Sequence, residues 1–400
     1  MKLKHGLQLA YCTNVHPAET WAETLDALNR WTLGVKERLA TNGPYAIGLR
    51  LSDLASRELF EPARLLEFQR WLEAHGCYVF TINGFPFGQF HGGRVKEQVY
   101  APDWTTAARL EYTNRLFDLL VELLPAGMEG SVSTLPGSFK EFIKEPEKLE
   151  LIRGNLWRCV EHISRLSEKT GHDLHLGLEP EPLGLFENSA ETVEFFGSIR
   201  DQHPADDRLA RHLGVNYDTC HFAIEFEQPR KAIASLKAQG IRLSKIHLSN
   251  ALKLNPSPAA LKGLSAFADE VYLHQVIGRL KDGSLRRWKD LAPAIASALS
   301  ATEADSIGEE WRVHFHVPLQ CDLADAFTTT SDHVTGVLDL LAAEPGLCSH
   351  LEMETYTWAV LPEFLKSRDV VDQIVSEYRW TLARMRERGL ADFLSPAETE

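Results

Sequence analysis

Short apolar runs alternate along the chain with longer stretches of helical periodicity. LQLAY (Leu7 to Tyr11), AIGLRL (Ala46 to Leu51), YVFTI (Tyr78 to Ile82), SVSTL (Ser131 to Leu135) and LHLGL (Leu174 to Leu178) read as strands. So do LGVNY (Leu213 to Tyr217), SKIHL (Ser244 to Leu248), VYLHQV (Val271 to Val276), WRVHFHV (Trp311 to Val317) and HLEMET (His350 to Thr355). Between the first two, Trp21, Leu25, Leu28, Val35 and Leu39 recur at helical spacing, predicting a helix opened by Pro17 with Glu19 in its first turn. Further helices are expected from about Pro62 to His75, Trp104 to Leu124 and Pro146 to Thr170, with Gly76 and Gly171 placed to end the first and last of these.

Strands alternating with helices imply a parallel sheet, and this many repeats favour a closed α/β barrel of the (β/α)8 TIM type. Ten strand-like segments compete for eight places, and VYLHQV and WRVHFHV both fall between Leu248 and His350. Residues 249–348 are therefore expected to contain an inserted hairpin or long loop on the catalytic face, before the last strand; the alternative leaves HLEMET outside the barrel. Neither a linker nor a repeat interrupts the pattern, so one domain is expected over 1–400.

Composition narrows the classes. A hydrophobic share of 44% over 400 residues is enough for one large core. A net charge of −14 argues against a nucleic-acid partner, which calls for a basic stripe to displace phosphate counterions. The amino-terminal MKLKHGLQLAYC lacks the apolar region of a signal peptide, and no window is long and apolar enough for a membrane span. The six cysteines are scattered without a C-x-x-C pair, as in a reducing compartment, so a cytoplasmic protein is expected.

In a barrel of this type the active site is built from residues just past the C-terminal strand ends. LHLGL runs into Glu179-Pro-Glu181-Pro, LGVNY into Asp218-Thr-Cys-His221, SKIHL carries His247, and HLEMET carries Glu352 and Glu354, which alternation puts on one side of the strand. Taken singly, each has a plain explanation: Asp218 as a helix cap, His247 as a core histidine. Taken together, Glu179, Asp218, His247 and Glu354 form a mixed oxygen and nitrogen ligand set for one divalent ion, Mn, Mg, Co, Fe or Zn. Glu179 and Glu354, on opposite sides of such an ion, are the candidate acid and base. His221, His274, His316, His91, Asn83 and Glu181 are candidate substrate contacts or outer supports of the site. For the histidines of LHQV and HFHV the competing reading is one face of an ordinary strand. The stretch Asn83 to Gly88, followed by His91, Arg94 and Lys96, reads either as a loop closing over a small ligand or as a packed loop; Arg94, Lys96 and Lys140 are candidate anion contacts.

At Glu179, Asp218-Thr-Cys-His221, His247 and Glu354 the chain resembles the xylose-isomerase-like TIM-barrel superfamily of sugar isomerases, ketose 3-epimerases, inosose dehydratases and endonuclease IV. NYDTCHFAIEFE is the most specific segment and is similar to the epimerase branch. That branch implies Glu179 and Glu354 as ligands doubling as the acid/base pair, Asp218 and His247 as ligands only, and His221 as a substrate contact or a support behind the ligands. Over nearly the whole chain, FPFGQFHGGRVKEQVYAPDW, GLEPEP, VHFHVPL and HLEMETYTWAVLP resemble the EboE-type family of bacterial metabolite traffic proteins, which implies Ebo-pathway partners. The leading expectation is thus a metal-dependent isomerase or epimerase for a sugar, cyclitol or related polyol. A metal-dependent hydrolase of a small phosphoester and a non-catalytic metabolite-binding or handover protein are the alternatives. Oligomeric state is not readable from the sequence.

Overall fold

The computed structural model describes residues 1–39, 43–300, 307–323 and 326–392. Eight parallel strands form the barrel: β1 (Gln8–Tyr11), β2 (Tyr45–Arg50), β3 (Cys77–Asn83), β4 (Gly130–Thr134), β5 (Leu174–Leu178), β6 (Leu213–Asp218), β7 (Arg242–Leu248) and, after a long excursion, β13 (His350–Met353). Their order around the sheet is β1-β13-β7-β6-β5-β4-β3-β2, and a parallel bridge between Cys12 and Gly48 closes the ring between β1 and β2. Both faces of these strands are covered, by helices outside and side chains within, which is why they read as continuous apolar runs. HLEMET thus supplies the last barrel strand rather than lying outside.

Most helix boundaries follow local chemistry. Pro146 opens the helix Pro146–Thr170, and Gly171 ends it in the left-handed conformation at φ 76°. The first helix begins at Trp21 rather than Pro17, because Thr20 and Glu23 form a reciprocal capping box there. Glu19 then lies ahead of the helix, within 3.3 Å of the Arg50 guanidinium. No helix among the described residues is long and apolar enough to cross a membrane.

The stretch between β7 and β13 holds more than a hairpin. It carries a five-stranded antiparallel sheet, in the order β10-β9-β11-β8-β12, from β8 (Asn250–Leu254), β9 (Val276–Arg279), β10 (Leu285–Trp288), β11 (Glu310–Val317) and β12 (Phe327–Thr329). Its inner face packs with its own helices into a separate apolar cluster that includes Leu252, Leu264, Phe267, Val276, Trp311 and Phe315. Only Val276 of VYLHQV belongs to a strand. Upstream, Asp269 accepts from the backbone N–H groups of Val271 and Tyr272, and Asp290 accepts from that of His274, so side chains satisfy backbone groups that a ladder would otherwise pair.

The tightest point of barrel closure is Gly48. A Cβ there would sit 2.7 Å from the Tyr11 carbonyl oxygen and run into the Glu352 carboxylate. Gly48→Ala is expected to lower unfolding free energy by about 1–3 kcal/mol, measured by urea denaturation; an unchanged midpoint would contradict this packing.

Candidate metal centre and active site

Four strand ends deliver the central group. Glu179 follows β5 and is fixed by its backbone N–H donating to Thr134 O (3.0 Å); Glu354 follows β13 and donates likewise to Leu248 O (3.0 Å). Asp218 ends β6 and His247 lies one residue from the end of β7. His247 Nδ1 is 3.1 Å from Glu179 Oε1, 3.3 Å from Glu354 Oε2 and 3.6 Å from Asp218 Oδ2. One ligand atom from each of the four lies within 4.8 Å of the others, and all four residues are buried.

The two readings of Asp218 coexist on its two oxygens. Oδ1 accepts from Cys220 N (2.7 Å), His221 N (3.1 Å) and Ser249 Oγ (2.6 Å), capping the helix Thr219–Ile224. Oδ2 is buried, has no hydrogen-bond partner and faces the imidazole. Glu354 is oriented from its far side, where Oε1 accepts from Asn14 Nδ2 (2.8 Å) and Asn83 Nδ2 (3.3 Å).

Behind His247 the polarity is organised one layer deeper. Its Nε2 is 3.0 Å from Glu352 Oε2, which also accepts from Lys245 Nζ at 2.7 Å. Burial opposes the Glu352 charge, but Lys245 and His247 overcome it and hold the carboxyl at a pKa of about 2. A carboxylate anchoring the outer nitrogen of an imidazole is the arrangement that orients a metal-binding histidine. Alternation had put Glu352 and Glu354 on one side of the strand; the structure gives the first to this anchor and the second to the centre.

Three buried carboxylates around one imidazole fit a divalent cation. Charges removed from water need a partner, and Lys245 is already matched to Glu352. The unpartnered Asp218 Oδ2 is the atom such an ion would satisfy. Without an ion the imidazole takes the cation's place. Burial disfavours its charge, yet Glu354 and Glu179 push the His247 pKa well above its ordinary value. The same field, against the burial penalty, draws Asp218 well below the usual carboxylate range, with His221 the largest favourable influence.

Above the centre lies a pocket of about 590 Å³, mouth included. Glu179, Glu181, Glu354 and His221 line it on the side of the centre, together with the aromatic side chains Phe85, Phe90, Tyr100 and Tyr356, and with Tyr272, Gln275 and His314 from the inserted segment. Burial, reinforced by the neighbouring Glu179, pushes the Glu181 pKa well above the ordinary carboxyl range.

The remaining sequence candidates divide. His221 and His316 abut the centre: His221 Nδ1 is 3.9 Å from Glu179 Oε1, and His316 Nδ1 is 2.9 Å from the Glu354 backbone oxygen. Asn83 reaches Glu354 as described. His91 instead bridges Asn14 O (2.6 Å) and the Tyr272 hydroxyl (2.9 Å), buttressing the wall. His274 is directed away, to the Asp269 carboxylate and the His314 carbonyl. Lys96 is matched to Asp290, and Lys140 to Glu187 and Glu191. Asn14, Lys245, Tyr100 and Tyr356 were not singled out in the sequence. Asn14 follows the first strand as the other site residues follow theirs, and Lys245 shares the inward face of β7 with His247, so both carried a positional signal.

No family model matches the chain, and no curated protein matches it in sequence. Among solved structures it is similar to an L-ribulose 3-epimerase, at 13% identity and a TM-score of 0.50 over 96% of this chain and 95% of that one. It is also similar to a xylose isomerase-like TIM barrel protein from Mycobacterium smegmatis in complex with magnesium, at 13% identity and a TM-score of 0.54 over 97% and 99% of the two chains. The chain therefore has the xylose isomerase-like TIM-barrel fold, carrying a buried group of residues able to hold a divalent metal.

Because a metal binds only the neutral imidazole, an ion entering this centre must displace the His247 proton. Metal affinity is expected to rise about tenfold per pH unit until the imidazole is neutral in the free protein. Calorimetric titration of metal-free protein in buffers of different ionisation enthalpy measures this; release of no proton at mildly acidic pH would contradict the charge assignment.

Proposed function

We propose that this barrel is a divalent-metal-dependent isomerase or epimerase acting on a sugar, cyclitol or related polyol. The carrying observation is the convergence of Glu179 and Glu354, from well-separated strands, on one buried imidazole at the base of a pocket. A bound divalent ion, held by Glu179, Asp218, His247 and Glu354, would polarise a substrate carbonyl. One of the two glutamates takes the proton from the carbon beside that carbonyl, and the other returns a proton to the opposite face or the neighbouring carbon. Asn14 and Asn83 hold Glu354 for this role, and Glu181 lines the pocket as a hydrogen-bonding partner for a substrate hydroxyl. The aromatic walls suit the apolar faces of a sugar ring. The names of the two similar barrels, an L-ribulose 3-epimerase and a magnesium complex, accord with this reading. On the EboE-type resemblance we read the reaction as a step of an Ebo-type secondary-metabolite route in the cytoplasm, with other Ebo proteins as partners.

One observation favours a second reading, a hydrolase of a small phosphoester. Asp218, His221 and His316 offer ligand atoms within 4.8 Å of one another beside the first centre, and His316 Nε2 is buried without a partner. A second ion there would make the dinuclear arrangement typical of phosphoester cleavage.

The test is deuterium wash-in from D2O, read by NMR, over a panel of ketoses and inososes with Mn2+ or Mg2+. Exchange beside the carbonyl is expected, with Glu179→Gln and Glu354→Gln each slowing it by about 10²–10⁴-fold while circular dichroism stays unchanged. Full activity in either variant sinks the two-carboxylate mechanism. A second metal equivalent lost specifically in His316→Ala, with turnover of small phosphoesters, favours the hydrolase; tight binding of a polyol without exchange favours a handover protein.

A further inference from the structure

At the end of the barrel opposite the pocket, three more ligand-type side chains converge. Glu129 immediately precedes β4, His175 is the second residue of β5, and His350 is the first of β13. All three therefore sit at N-terminal strand ends, where a barrel of this kind keeps its stability rather than its catalysis. One ligand atom from each lies within 4.8 Å of the other two. Glu129 Oε2 is 3.5 Å from His175 Nε2, and Glu129 Oε1 is 3.9 Å from His350 Nε2. The imidazole side chains are 1% and 0% exposed and the carboxylate 29%, so the group opens to solvent only on the glutamate side.

The hydrogen bonding of the two rings is what points to a ligand. Each is held through Nδ1 by a serine hydroxyl, His175 by Ser244 Oγ (2.5 Å) and His350 by Ser131 Oγ (2.7 Å). Ser131 is itself fixed against Thr81 Oγ1 at 2.7 Å. In both rings Nε2 is buried and has no hydrogen-bond partner. Leaving a buried polar atom unpaired is unfavourable, and here two such atoms face one carboxylate.

Direct hydrogen bonds from Nε2–H to Glu129 do not account for this, since 3.5 and 3.9 Å exceed the ordinary N–H···O range. They are closer to the separation of two ligands sharing one ion: bonds of about 2.0–2.2 Å at tetrahedral angles put ligand atoms about 3.3–3.6 Å apart. With the serines taking Nδ1–H, each Nε2 presents a lone pair, and the serines act as the outer hydrogen-bond partners that fix a metal-binding tautomer. Charge also balances. Arg242 donates to Glu129 Oε2 at 2.8 Å but is matched by Asp173 at 2.7 Å, and Lys245 is matched by Glu352. Ser349 donates to Glu129 Oε1. One net negative charge and two imidazoles then remain for a dication.

We propose that Glu129, His175 and His350 form a second, structural metal site on the floor of the barrel, selective for a borderline ion such as Zn2+ or Co2+. An imidazole-rich set prefers these ions over Mg2+ and Mn2+. The site ties β4 and β5 to β13, the strand that returns after the insertion and lies on the other side of the ring. It is independent of the reading proposed for the catalytic end.

The test uses the full chain with the upper centre disabled, Asp218→Ala with His247→Ala, stripped with chelator and titrated with Co2+ and Zn2+. About one equivalent is expected to bind, with a Co2+ visible spectrum of low-coordinate nitrogen and oxygen ligation and a higher thermal midpoint. His175→Gln or His350→Gln added to that background should abolish the spectrum and the thermal shift. If the background variant does not fold, the wild-type chain and its His350→Gln variant serve instead. Anomalous scattering from zinc-soaked wild-type crystals should then show a peak among the three residues, lost in His350→Gln while the upper centre stays occupied. No second equivalent, no peak on the floor, or binding unchanged in both histidine variants overturns the proposal.

Discussion

The structure turns on one buried imidazole. His247 is held on one side by Glu352 and, through it, Lys245; on the other it meets oxygens of Glu179, Asp218 and Glu354. All of these groups are buried, so each charge is tolerable only while the others keep their places. That interdependence joins four strands across the interior of the barrel. It also explains why this end of the barrel shows so little slack: Glu354 is fixed by two asparagines, Asp218 by a helix terminus and Ser249, and His247 by a carboxylate.

Much of the barrel and its centre was legible in the sequence because both follow one rule. A strand covered on both faces is an apolar run, and a carboxylate or imidazole at its end stands out against that background. Glu179, Asp218, His247 and Glu354 were visible for this reason. Polar residues within the strands were harder to read. Lys245, His175 and His350 lie inside runs that look apolar overall, and their partners, Glu352, Ser244, Ser131 and Glu129, come from distant segments. Only the folded barrel brings such pairs into register.

The inserted sheet was misjudged in extent for a different reason. Leu285–Trp288 is an edge strand with a mostly exposed face and Phe327–Thr329 is only three residues long, so neither carries the apolar alternation that marks a strand. Conversely, most of VYLHQV has a strand's composition but not its pairing, because Asp269 and Asp290 meet its backbone donors. Local composition reports how a residue is buried more faithfully than what its backbone is bonded to.

The inserted segment leaves the barrel one residue after β7, packs its sheet around its own apolar cluster and returns at β13, while lending Tyr272, Gln275 and His314 to the pocket lining. The body of the inserted sheet and the ligand-bearing strands thus rest on different apolar cores. Mutations in that sheet are absorbed by packing that the ligand-bearing strands do not share, so the segment that supplies part of the pocket lining can drift over evolutionary time while the buried ligand group stays intact. Such a barrel is easier to repurpose than one whose insertion and ligand-bearing strands rest on one core.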